Sequence, residues 1–431
     1  MTATLFEQLP RFSEFDPGAA GEGSLDPLGF GSVADRIADR LAPGLRARMS
    51  QPRFVTLSAV GAHACQPIAD LVSADGKTTV DIAFEWLVVE SLVQHPNPAR
   101  LRGVPGSQKA QRARKTKQRL SAATYLAGPR VFGFTGVYRP FSQDSLVLGT
   151  DGLPGENAER LIRAWESDRG FDGFLAGTRW SDGGKLRADI ERECRETLRR
   201  AHVTAALTGG LMRRLADTLA PGEAGRRERD VLRNLTTTGP HEVRNELTAL
   251  LIRMPPAADA TQQQIAGALA AQVTPRTRQV LKVAIDFENC STGIEYAFRR
   301  LLAYGTSLGG TFSIEQGATT PGLADLAPHL GDLVKRAVDS AARLDDMLAY
   351  EVMACLDRFD RDLDAGGFVE ALIDRHQQVQ DGKGKRMWLD PIRQMWIVRP
   401  PYRNQRLDLD DDIWTHPMRL HTLVSFLQAT A

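Results

Sequence analysis

The sequence predicts a mainly α-helical protein, a multi-helix chain with an embedded winged-helix module and a short C-terminal β-hairpin. Three observations carry that fold class. Apolar residues recur at helical spacing in most segments of the chain. An apolar run over 131–148 leads into a turn containing Gly149, Gly152, Pro154 and Gly155, and then into an amphipathic stretch over 156–167, the order of part of a winged helix. Two short apolar runs, 386–389 and 395–398, flank DPIRQ and read as a hairpin.

These signals divide the chain into five regions. Residues 1–26, rich in Gly, Pro and Phe and aperiodic, read as an extended arm. A helical region spans 27–98. There Ser32 caps a helix to Leu41, with Val33, Ile37 and Leu41 on one face. Two further helices over 54–72 and 78–94 follow, the second ended by Pro96 and Pro98. The basic tract and winged-helix-like module occupy 99–175, with a short helix over 121–127 stopped by Gly128-Pro129. A helical domain spans 181–380. It begins with a long helix over 185–207 whose Arg and Glu residues sit three and four apart, as on a solvated or partner-facing surface. Further helices are expected over 211–219, 242–253, 261–271, 294–304 and 368–380, with one or two long ones over 323–364 and a Gly/Thr-rich loop over 311–321. The region 381–431 holds the basic hairpin and a closing helix over 415–430. No repeat of fixed period is visible.

With 431 residues the chain has enough length for two or three domains and a sizeable core. Its 42% hydrophobic and 25% charged residues are those of an ordinary globular protein. Formal net charge is +1, so an electropositive surface has to be a local patch. Cys65, Cys194, Cys290 and Cys355 are dispersed and form no CxxC or Cys/His cluster, which fits reduced thiols and argues against zinc. No run approaches the roughly 18 apolar residues that span a bilayer, and the first residues lack the pattern of a signal peptide. A cytoplasmic protein with no cofactor and no membrane partner is the expectation.

The local charge imbalance is the strongest functional clue. From Arg100 to Arg119 stand eight basic residues and no acid. Such a run neutralises phosphates and releases their counterions, giving affinity for nucleic acid without sequence preference. Lys109, Arg112, Arg114, Lys115, Lys117 and Arg119 are the expected phosphate contacts, joined by Arg130. Tyr138 and Arg139 fall near the start of the expected recognition helix and would probe the groove. Core packing is the competing reading for Phe132, Phe134 and Tyr138, and a flexible solvated loop the competing reading for the tract itself. A second basic stretch over 383–406 holds seven cations against Asp390 alone, interleaved with Trp388, Trp396 and Tyr402. Lys383, Lys385, Arg386, Arg399 and Arg403 would hold phosphates while aromatic rings stack. The alternation of Trp396 with its neighbours fits equally a buried hairpin face.

Catalytic signatures are few. Asp360, Asp362 and Asp364 alternate as in a calcium loop, but Ala365 and Ala371 stand where that loop needs Gly and a bidentate Glu. His241-Glu242 begins like a zincin helix without its second histidine. Arg195 and His202 have the spacing of the Arg-x(4–6)-His motif of HEPN-type RNases, a spacing any helix produces on one face. Asp286 and Glu288 follow an apolar run as in a nuclease carboxylate cluster, without the lysine that completes it. No phosphate-binding Gly-x(4)-Gly-Lys loop is present.

Three stretches carry a family resemblance: LDPLGFGSVADRIADRLAPG at 25–44, 106–139, and RHQQVQ at 375–380 with the basic hairpin. They resemble an uncharacterised family of bacterial proteins found among phage-defence and restriction genes. The resemblance implies a setting rather than a reaction: a subunit beside a helicase, nuclease or modification enzyme. The expected function is thus a non-catalytic subunit binding nucleic acid, duplex DNA first, with other protein subunits as partners. The alternatives are a metal-dependent or HEPN-like nuclease and an adaptor gripping an acidic protein.

Overall fold

The computed structural model describes residues 26–410 and 413–431. The expected arm over 1–26 therefore lies outside the described residues except for Asp26. The chain forms two compact units. One takes Lys282–His416 together with the chain up to Arg36; the other takes Ile37–Leu281 and Pro417–Ala431.

The helix α1 (Gly31–Leu41) comes first, and the larger unit continues with α2 (Phe54–Cys65), α3 (Val80–Gln94) and α4 (Ser107–Lys115). Then come α5 (Pro129–Phe132), α6 (Phe134–Asp144), α7 (Ala158–Arg169) and α8 (Asp182–Arg200), followed by α9 (Gly210–Thr218), α10 (Arg226–Thr237), α11 (Glu242–Arg253) and α12 (Gln262–Ala270). The segment expected to be the apolar strand of a winged helix is helical. Phe134, Val137, Tyr138 and Phe141 follow the spacing i, i+3, i+4, i+7, and all four are buried on one face of α6. Phe54 stacks on Phe134 at 5.3 Å and lies 4.9 Å from Tyr138; Phe426 stacks on Tyr138 at 6.5 Å and meets Phe141 edge-on at 5.7 Å. Aromatic packing thus selects period 3.6 over period 2. No wing strand follows: the turn over 149–155 carries only the single bridge between Leu148 and Pro154. The expected short helix over 121–127 is a turn, pinned by a bridge between Ser121 and His202.

A buried ion pair fixes the middle of this unit. Arg53 Nε and Nη2 donate to the two carboxylate oxygens of Glu228 at 2.9 and 3.0 Å, and Nη2 also donates to the Thr218 carbonyl at 2.7 Å. Both side chains are fully buried. A pair this enclosed is tolerable only because the fork geometry and extra carbonyls satisfy the guanidinium.

The smaller unit is built around α13 (Pro275–Ser307) from Lys282 onward. This helix is longer than the expected 294–304 because the apolar run over 280–285 belongs to it. The short strand β1 (Thr311–Phe312) and α14 (Ile314–Ala318) occupy the expected loop, and α15 (Leu323–Leu326), α16 (Leu330–Ala342), α17 (Asp346–Leu356) and α18 (Ala365–Gly382) follow. The hairpin forms, from β2 (Leu389–Ile392) and β3 (Met395–Val398), with Leu389 opposite Val398; its first strand lies three residues later than the expected 386–389, and Arg393-Gln394 alone make the turn. Thr311 and Phe312 add a third antiparallel strand in the order β1-β3-β2. The closing helix α19 (Leu420–Ala429) packs on α10, α11 and α12 of the larger unit.

Two buried histidines organise the smaller unit. His376 Nδ1 bonds the Pro27 carbonyl at 2.9 Å, and its Nε2 accepts from the Trp388 amide at 2.9 Å. Accepting at Nε2 requires the neutral ring, and burial accordingly pushes its pKa down to about 4. His416 has the opposite surroundings. Burial alone would depress it, but the Glu288 carboxylate at 2.8 Å and Glu295 at 3.5 Å outweigh burial and hold it at about 9.

Candidate nucleic-acid interface

The basic tract folds as α4 and its flanks, and its cations divide into two groups by what they touch. Three arginines anchor the segment. Arg100 donates to Asp217 at 2.6 Å and to Glu223 at 3.1 Å. Arg114 donates to the Val93 carbonyl at 2.6 Å. Arg119 donates to Glu90 at 2.5 Å and to the Ala205 carbonyl at 2.7 Å, while Glu90 also accepts the Leu120 amide. Arg119, expected as a phosphate contact, is therefore neutralised within the protein, whereas Arg114, exposed and bonded through one N–H to a neutral carbonyl, keeps its charge and its other donors.

The other group is free. Arg102, ahead of the helix, and Lys109, Arg112, Lys115 and Lys117 are exposed, and among the described residues their side chains have no hydrogen bond or ion pair. Ala110 and Ala113 are the buried residues of α4. At 100° per residue, Arg112 and Lys115 project from the side opposite that pair and Lys109 from its margin. Small residues below and cations above give a helix that lies close on the body of the unit and turns its charge outward.

Both ends of α4 use left-handed backbone. Gly106 precedes it at φ +75°, and a Cβ there would lie 2.2 Å from the Tyr125 hydroxyl, so this position requires glycine. At the other end Lys117 has φ +55°, and the Gln118 amide donates back to the Ala113 carbonyl at 2.8 Å. That bond makes a Schellman-type close in which glycine is the usual residue at the left-handed position. A lysine there exposes a cation at the cost of backbone strain.

The expected groove-reading residues are elsewhere. Tyr138 is fully buried, and its hydroxyl accepts from the amides of Ser50 and Gln51 at 2.9 and 3.0 Å; burial pushes its pKa up to about 12. It is a core residue and cannot reach a base. Arg139 is half-buried, 3.8 Å from Asp81, and Arg130 is exposed with one bond to Thr79 at 3.3 Å. Both line a cleft formed with the ends of α2 and α3.

The second basic stretch is largely self-neutralised. Arg399 is buried, donates to the Met387 carbonyl and lies over the Tyr402 ring. Arg403 donates to the Val398 carbonyl at 2.8 Å, Arg386 pairs with Asp390 at 3.1 Å, and Lys383 donates to the Asp26 carbonyl at 2.8 Å. Of the five expected contacts, Lys385 alone has a side chain with no intramolecular partner among the described residues. Trp388 and Tyr402 are buried and stacked on each other at 4.3 Å, so their faces are not open to bases. Core packing overrides the aromatic-and-basic pattern here.

The catalytic alternatives do not assemble. Arg195 pairs with Glu191, and His202 lies beyond the left-handed Ala201 that ends α8, with its ring on the Val203 carbonyl. Asp286 pairs with Lys282 one turn away, and Glu288 is buried against His416 on a helix rather than at a strand end. Asp364 caps α18 through the Gly367 amide, and His241 and Arg244 close on Asp144. Among the described residues no group of three His, Cys, Asp or Glu side chains is arranged to hold a metal ion, and no helix is long and apolar enough to cross a membrane. All four cysteines are buried. A hydrogen bond from Cys65 and burial raise the Cys194 thiol, and burial lifts Cys355 to about 12, which keeps them protonated and unreactive.

One buried acid went unnoticed in the sequence. Glu85 on α3 accepts from the Tyr125 hydroxyl and from the Thr135 amide, both at 2.8 Å. Burial raises its pKa to about 7 despite those donors. A Cβ on Gly133 would lie 1.9 Å from its Oε1, so glycine is required where α5 gives way to α6. Glu85 thereby ties the turn after α4 to the start of α6. Its signal was a carboxylate inside the otherwise apolar VDIAFEWLVVESLVQ. No protein-family model matches this chain, and no curated protein or solved structure is similar to it.

Proposed function

We propose that this chain binds nucleic acid, duplex DNA first, through the outward side of α4, without itself carrying out a reaction. The observation that carries the reading is the set of four unpaired cations Lys109, Arg112, Lys115 and Lys117. In a protein of net charge +1, whose other arginines are widely paired, four unneutralised charges within nine residues form an anion-binding ridge. Phosphate contacts of this kind give affinity without base reading. The winged-helix expectation adds nothing to this proposal, because α6 is a core helix. The setting, a subunit of a bacterial anti-phage or restriction complex, rests on the three resembling stretches, and the cytoplasmic location on the dispersed cysteines.

The test is fluorescence anisotropy with short duplex DNA, single-stranded DNA and RNA at two salt concentrations. Binding should weaken steeply with salt, and Lys109→Ala/Arg112→Ala/Lys115→Ala should reduce it for every sequence while flattening the salt dependence. Equal affinity in the triple variant, with its helical content intact, refutes the proposal. Arg119 is left out of that set because its loss would strand the buried Glu90.

A further inference from the structure

The cleft that takes in Arg130 and Arg139 is built differently from the α4 ridge. It has a volume of about 240 Å³ and lies within the larger unit, between the end of α2, the first turn of α3, the start of α6 and the loop over 148–153. Its apolar wall includes Phe84, Phe134, Leu148 and Leu153. Its charged groups are two guanidinium groups and two carboxylates, Asp81 and Asp151, beside the hydroxyls of Ser58, Thr79 and Thr135.

These polar groups are incompletely used. Arg139 stands 3.8 Å from Asp81, beyond hydrogen-bond reach, and donates one long bond of 3.5 Å to the Thr150 carbonyl. Arg130 makes one bond of 3.3 Å. A guanidinium has five N–H donors, so most of them remain unspent. Asp81 accepts the Thr79 hydroxyl on Oδ1, which leaves acceptor sites on both oxygens. Asp151 is committed to the Leu153 amide at 2.9 Å and shapes the loop.

The charge balance discriminates between ligands. A phosphate dianion would gain two arginines but meet two carboxylates. A neutral apolar molecule would desolvate the Arg139–Asp81 pair and return nothing to it. A small zwitterion with an apolar body matches both arginines and Asp81: a planar carboxylate suits the guanidinium fork, an ammonium suits Asp81, and the body fills the wall of Phe84 and Phe134. The geometry points to a free α-amino acid with a large apolar side chain as the ligand of this cleft. The carboxylate sits on Arg139 and Arg130, and the ammonium on Asp81.

Isothermal titration calorimetry of the full chain tests this with L-phenylalanine and L-leucine, the analogues 3-phenylpropionate and phenethylamine, and adenosine monophosphate. At least one amino acid should bind, with each analogue of phenylalanine weaker by about tenfold or more, the value of one charge-assisted hydrogen bond. Arg139→Ala and Asp81→Asn should each weaken amino-acid binding by a similar factor, whereas the α4 triple variant should leave it unchanged, which separates this site from the nucleic-acid reading. Three results overturn the inference: no heat from either amino acid at about 10 mM, tighter binding of the nucleotide than of both amino acids, or undiminished affinity in either cleft variant. The analogues report on the wild-type protein, so a variant that fails to fold does not leave the question open.

Discussion

Lys117→Gly separates the two roles that the end of α4 combines. Lys117 sits at φ +55°, where a side chain costs about 1–2 kcal/mol and glycine nothing. Glycine gives back about 0.4–1 kcal/mol through the greater freedom of the unfolded chain. The net expectation is a protein about 0.5–1 kcal/mol more stable, read as a higher urea midpoint with unchanged slope. The same change removes one of the four unpaired cations. If Lys117 neutralises one phosphate, the slope of log K against log salt should flatten by about 0.9. Lys117→Ala is the control, since alanine keeps the backbone penalty and loses the charge: its stability should match the parent and its salt slope should match the glycine variant. A glycine variant less stable than the parent would refute the argument from backbone strain. A salt slope unchanged in both variants would remove Lys117 from the interface.

Two further outcomes follow from buried charge. Glu228→Gln leaves Arg53 buried without its counter-charge and should cost about 3–5 kcal/mol, measured by urea denaturation; a loss below about 1 kcal/mol would mean that the carbonyls alone satisfy the guanidinium. The smaller unit should be most stable near pH 6.5. His376 is held neutral, with a folded pKa of about 4, so stability falls as pH drops below the unfolded value of 6.5 toward 4. His416 is held charged, with a folded pKa of about 9 among Glu288, Glu295 and Asp26, so its contribution is complete below 6.5 and is lost as pH rises through 9. Thermal melts between pH 4 and pH 9.5, with His376→Gln flattening the acid limb alone, check both signs; a limb that keeps its slope in that variant would clear His376 of the effect.

Helices were legible wherever one side was apolar and the ends carried caps or breakers. The expected span 242–253 matches α11 to the residue and 261–271 matches α12 to within one residue at each end, whereas α1 starts at Gly31, so Ser32 lies inside it and Asp26 accepts the Phe30 and Gly31 amides ahead of it. The larger errors share one cause. Over 131–144 a dense apolar run contains both periods, and only the partners Phe54 and Phe426, 80 and 292 residues from Phe134, decide between them. The same holds for charge. Sequence shows eight cations from Arg100 to Arg119 but not that Glu90, Asp217 and Glu223, from three other segments, claim Arg119 and Arg100. The free cations could be listed only once their neighbours were known. Trp388 and Tyr402 show the converse, an aromatic and basic pattern that serves packing.

In each unit an early segment meets a late one. Arg375 and His376 hold the carbonyls of Leu28 and Pro27, nearly 350 residues earlier, and α19 brings Phe426 against Tyr138 and Phe141. A ribosome adding roughly 5–20 residues per second takes roughly 20–90 s over this length. For most of that time the aromatic face of α6 has been made and its cover has not. The larger unit lacks the cover of that face until Pro417–Ala431 is made, whereas the smaller unit takes no residue beyond His416. Until Pro417–Ala431 emerges, the aromatic face of α6 depends on whatever shields apolar surface in the cell.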